Sequence, residues 1–131
     1  MRVSRMIAGV ILALPLPAAA QADNAVVSQS QRFVVGYEAE LEPLAINRMH
    51  RWVIHVERRD GTPVDDATIS LVGGMPDHDH GLPTLPQATR YLGDGDYQVE
   101  GMKFHMNGRW VITVTIVVDG EPDTAVFELR L

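Results

Sequence analysis

From residue 33 onward, apolar and polar side chains alternate with a period of two, the pattern of strands that bury one face and expose the other. The first run puts Phe33, Val35, Tyr37, Ala39 and Leu41 on one face, with Arg32, Glu38, Glu40 and Glu42 on the other. The alternation returns in Trp52, Ile54, Val56; in Ala67, Ile69, Leu71; in Trp110, Ile112, Val114, Ile116, Val118; and in Ala125, Phe127, Leu129, Leu131. One run slips phase: Tyr97 and Val99 are followed by Met102 and Phe104, which predicts a β-bulge near Gly101. A short strand near residues 88–92 completes a set of about seven. Turn-forming segments separate the runs, at Asp60-Gly61-Thr62-Pro63, Gly93-Asp94-Gly95-Asp96, Asn107-Gly108 and Asp119-Gly120-Glu121-Pro122. No amphipathic helix competes with this pattern. The expected fold is all-β: a single immunoglobulin-like antiparallel β-sandwich of about seven strands.

The first residues follow a different rule. Arg2 and Arg5 precede the apolar run at residues 6–14, and Pro15 and Pro17 lead into Ala18-Ala19-Ala20-Gln21-Ala22, with small residues at Ala20 and Ala22. A charged start, a short apolar run and an Ala-x-Ala end describe a cleavable signal peptide, residues 1–22, with Asp23 as the mature start. A membrane anchor is the alternative, but the run is shorter than the roughly 20 apolar residues that span a bilayer. The chain also has no cysteine to accept a lipid. Residues 23–30 are then expected as a flexible lead-in and 31–131 as the domain, periplasmic or secreted, without a membrane segment after cleavage.

Charge and composition narrow the function. Removing residues 1–22 takes two of the 11 basic residues and none of the 17 acidic ones, leaving the mature chain near −8. Such a balance argues against nucleic acid as a partner. Without cysteine, neither disulfides nor a thiolate-ligated copper centre is possible, so packing or a bound ligand must supply stability. Enzymatic activity is not expected: Ser28, Ser30 and Ser70 lie outside any nucleophile motif, and Asp65-Asp66 sit in a turn beside Pro63.

If successive strands reverse direction, every second connection emerges at the same end. Residues 43–49, 73–86 and 105–108 would therefore share one end, and with them go four of the five histidines: His50, His78, His80 and His105. Met49, Met75 and Met106 accompany them, whereas the opposite end holds the Asp60, Asp94 and Asp119 turns. His55, mid-strand, falls outside the group. Imidazole nitrogen suits Cu(II), Ni(II) and Zn(II), and thioether sulfur adds a preference for Cu(I). Asp77 and Asp79 are carboxylates that could ligate or orient an imidazole. Singly, each histidine reads as a solvated loop residue, and Met102 and Phe104 as ordinary core. Convergence of three connections is what raises the metal reading above that.

Three segments carry a family resemblance: Gly61-Thr62-Pro63-Val64 leading to Ala67, Met75-Pro76-Asp77-His78-Asp79-His80-Gly81, and Phe104-His105-Met106-Asn107-Gly108-Arg109-Trp110. In them the chain resembles the YtkA-like group of secreted domains, related to the FixH-like proteins, over about residues 35–131. The resemblance implies an immunoglobulin-like sandwich outside the cytoplasmic membrane, relatives associated with copper handling or respiratory oxidase assembly, and Met75, His78, His80 and Met106 as ligands. FixH-like proteins carry a membrane helix that this chain lacks after cleavage, which weakens a role within an oxidase-assembly complex. The expectation is an exported metal-binding protein that sequesters or transfers copper through Met75, His78, His80, His105, Met106 and His50. The alternative is a metal-free periplasmic interaction or assembly-accessory module that docks onto another exported protein.

Overall fold

The computed structural model describes residues 24–131; the expected signal peptide lies outside the described residues. Nine strands follow one another: β1 Ala25–Val27, β2 Phe33–Ala39, β3 His50–Arg58, β4 Thr68–Met75, β5 His80–Gly81, β6 Gln87–Gly93, β7 Asp96–Met102, β8 Arg109–Val118 and β9 Glu121–Arg130. They form two antiparallel sheets, in the orders β1-β2-β3-β7-β6 and β5-β4-β8-β9. Setting aside the short β1 and β5, the remaining seven strands have the order of the immunoglobulin constant-type sandwich, four strands facing three.

The period-two pattern explains why each strand sits where it does. In β8, Trp110, Ile112, Val114, Ile116 and Val118 are buried, while the residues between them are partly open to solvent. Phe33 and Val35 of β2 and Trp52, Ile54 and Val56 of β3 meet them from the facing sheet, and Ala125, Phe127 and Leu129 of the neighbouring β9 extend the same core. Two connections are two-residue turns in which both central residues have positive φ: Asp94 (52°) with Gly95 (83°), and Asp119 (52°) with Gly120 (76°). That is the type I′ geometry whose twist matches antiparallel strands, and Asp-Gly is a preferred pair for it. The predicted bulge is present: His50 pairs with Met102 but Trp52 pairs with Val99, so β7 carries one extra residue, and Gly101 has φ 88°.

Two local expectations change. Of the lead-in, residues 25–30 are tied to the sandwich: β1 pairs with β2, and beyond it the Gln29 N–H donates to the Thr124 carbonyl at 2.8 Å. The Ser30 N–H donates to the Asp123 carboxylate at 3.0 Å, and the Ser28 hydroxyl accepts from the Phe33 N–H at 3.0 Å. The stretch at 73–86 is no open loop in its first half, because β4 runs on to Met75 and turns back as β5. No helix among the described residues is long and apolar enough to cross a membrane.

Candidate metal centre

β4, β5 and the β7–β8 connection meet at one end of the sandwich. The turn between β4 and β5 begins at Met75, whose carbonyl accepts the His78 N–H at 3.1 Å, with Pro76 next in the chain. Proline's fixed φ suits the second position of such a turn. Asp79 follows with φ 53°, a conformation that aspartate tolerates better than most side chains, and it reverses the chain so that His80 stands opposite Met75. Arg109 of β8 fastens the turn from outside. Its Nε and Nη2 lie 3.4 Å from the two oxygens of Asp77, and its Nη1 lies 2.9 Å from Glu128. The Arg109 guanidinium therefore pairs with Asp77, and the carboxylate faces that cation at the outside of the turn.

Three imidazoles line up from this turn inward. The His78 and His80 rings are roughly parallel with centroids 6.2 Å apart, and the His80 and His105 rings are 6.0 Å apart at a steep angle. His105 rests against Trp110 at 5.6 Å, also at a steep angle. An imidazole nitrogen lies about 2 Å from a bound copper or zinc, so two rings sharing an ion have centroids about 5–6 Å apart. The spacing is thus close to that of a shared ion. It is not a finished shell, since no three His, Asp or Glu side chains among the described residues already surround one point.

The two sulfurs of the expected site sit deeper. Met75 is fully buried, and its register partner His80 projects from the same side of the β4–β5 pair, since directly opposed residues share a face. The Met75 methyl lies where a side chain at position 108 would begin: a Cβ on Gly108 would stand 2.8 Å from Met75 Cε. Met106 is half-buried against the core, and its carbonyl accepts the Trp110 Nε1–H at 3.0 Å. Trp110 thereby fixes the short 103–108 connection that presents His105 and Met106. Its positioning role, like those of Gly108 and Arg109, is absent from the sequence-based donor set; the Gly-x-Trp spacing was the available signal.

His50 leaves the set. It is buried, its Nδ1–H donates to the Arg48 carbonyl at 3.0 Å, and its Nε2 accepts the Trp52 Nε1–H at 3.0 Å. With both nitrogens committed and the ring 6.0 Å from that of Phe104, it has no lone pair to give an ion. His55 stands elsewhere, as its mid-strand position required, between Asp96 at 2.6 Å and Glu57 at 3.3 Å. Partial burial disfavours its charged form, but the hydrogen bonds to Asp96 and Glu57 and the charges of both outweigh that and raise its pKa.

The surface around the site is open. A groove of about 460 Å³ runs beside the hairpin, lined by Val72, Asp79, His80, Val111 and Thr113 among others. Leu85, in the segment leading to β6, and Met49, just before β3, are 86% and 61% exposed. A family model described as YtkA-like matches residues 25–115, which takes in the whole hairpin, the β7–β8 connection and most of β8. The matched span begins ten residues earlier than the resemblance read from sequence and ends before β9. No curated protein and no solved structure matches the chain.

Proposed function

Since the chain belongs to the YtkA-like family, we propose that it is an exported, periplasmic copper-handling protein that sequesters or passes on the ion at its histidine end. One observation carries this reading: His78, His80 and His105, from two separate connections, are brought into a continuous row, with Met75 the register partner of His80 and Met106 next to His105 in the chain. Imidazole with thioether is a donor set for copper rather than for magnesium or calcium. The residues present also fit an ion in a second way, because the buried Nδ1 of His105 has no hydrogen-bond partner in the protein. A bound copper would be held by these imidazoles, with the thioethers favouring its monovalent form; the chain itself supplies the hairpin that aims them and the Trp110 hydrogen bond that fixes the second connection. The role is binding rather than catalysis.

The test is a competition titration of residues 23–131 with Cu(I) and Cu(II) against chelators of known affinity, beside the His78→Ala/His80→Ala variant. Stoichiometric binding that the variant loses is the expected result. Absence of binding in both oxidation states would sink the copper reading. It would leave the interaction module, which the exposed Leu85 and Met49 at the same end favour.

A further inference from the structure

The five histidines differ in what their ring nitrogens meet. His50 and His55 have both nitrogens engaged by protein groups. His78 and His80 are exposed, so solvent serves them. His105 alone has a nitrogen, Nδ1, that is buried and without a partner. An unsatisfied buried polar atom is costly, because the hydration it loses on folding is not replaced. The fold avoids that cost at His50, whose two ring nitrogens are paired with the Arg48 carbonyl and the Trp52 Nε1–H. An unpartnered buried nitrogen at His105 is therefore an exception within its own neighbourhood, and unsatisfied groups of this kind call for an explanation such as an ion.

The surroundings specify which ion. The His105 ring lies between His80 and Trp110. Met106 is the next residue, and Met75 stands opposite His80 in the hairpin. Asp77, a carboxylate of the same turn, is held by Arg109. An imidazole nitrogen removed from water, in connections that also carry thioether side chains, suits a soft monovalent cation better than a hard divalent one. The hydrogen bond from Trp110 to the Met106 carbonyl holds the connection next to His105, whereas His78 and His80 are exposed.

Resting on the copper-handling reading, we propose that His105 is the inner ligand of the site and coordinates Cu(I) through Nδ1, its Nε2 keeping the proton. Ag(I) serves as a redox-inert, diamagnetic substitute for Cu(I). The experiment is a set of long-range ¹H–¹⁵N correlation spectra of the labelled mature chain, recorded as Ag(I) is added to one equivalent. The expected result is a shift of His105 Nδ1 away from its free lone-pair position, with Nε2 still protonated. A shift at His105 Nε2 instead overturns the atom assignment. Movement of His78 and His80 with His105 unchanged overturns the inner-ligand role and leaves the copper reading standing. If none of the three histidines moves, both readings fall together. The wild-type chain is used throughout, so no outcome depends on a variant that fails to fold.

Discussion

Gly108 has φ 136°, and a Cβ there would lie 2.8 Å from the Met75 methyl. Strain is the main cost, because the backbone conformation disfavours an L side chain, and the buried Met75 methyl must also shift to make room. Gly108→Ala should destabilise the domain by about 1–3 kcal/mol, read as a lowered urea midpoint with unchanged slope. Should copper bind at Met75, the same variant weakens Cu(I) affinity more than Cu(II) affinity. His55 gives a prediction in pH. Its folded pKa is raised, so its stabilising contribution is fully present below the unfolded value of roughly 6.5 and is lost as pH rises through the folded one. The side chain is 38% exposed, so solvent screening keeps the effect below about 1 kcal/mol. Comparing wild type with His55→Gln by denaturation between pH 5.5 and 9 checks it: the gap between them should narrow toward the alkaline side. A gap that widens there would contradict the assignment.

At the scale of elements, side-chain hydrogen bonds fasten connections that contribute few ladder bonds of their own. The Tyr97 hydroxyl on β7 donates to the Val64 carbonyl at 2.7 Å and accepts the Ala67 N–H at 3.1 Å, binding the β3–β4 connection to the opposite sheet. Tyr97→Phe keeps the ring but removes the partner of both backbone groups, and the expected cost is about 1–3 kcal/mol. Hydrogen exchange at Ala67 should quicken in that variant while exchange in the centre of β8 follows only the global change. The long strands were legible because five or more alternating positions reveal a buried face. β1 and β5, with three and two residues, are too short to show any period, and their pairing depends on neighbours distant in the chain. For the same reason residues 23–30 read as a flexible lead-in and 73–86 as an open loop. Pro76 and Asp79 are turn-compatible residues whose place in a hairpin becomes visible only once Met75 and His80 are paired.

Across the whole molecule, chemistry is divided between the ends. Three imidazoles, Met75 and Met106 gather at one, and the Asp94-Gly95 and Asp119-Gly120 turns close the other. With no cysteine in the chain, folding rests on the shared core of the two sheets, and reductants should leave the melting temperature unchanged. A ligand that binds the folded state alone adds stability by mass action, about 2.7 kcal/mol at a free concentration 100 times its Kd. Ag(I) or Cu(I) should therefore raise the melting temperature of the mature chain in a concentration-dependent way, and His78→Ala/His80→Ala should abolish the rise. An equal rise in wild type and variant would assign the stabilisation to another part of the surface.

The sequence by itself determined the inward faces of the main strands, the bulge at Gly101 and the Asp-Gly turns, because each follows from steric and hydrophobic rules acting over a few residues. That alternate connections share an end followed from the sequence only on the condition that every strand reverses direction, and the antiparallel pairing within the two sheets supplied that condition. Only the tertiary structure decided which donors face one another. His50 and His105 look alike as histidines near a strand end, yet packing closes both nitrogens of the first and leaves Nδ1 of the second open. Whether an imidazole can take an ion depends on what surrounds its lone pairs. For His105 those surroundings come from His80 on β5 and Trp110 on β8, brought together only when both strands join β4 in one sheet and the β7–β8 connection folds beside them.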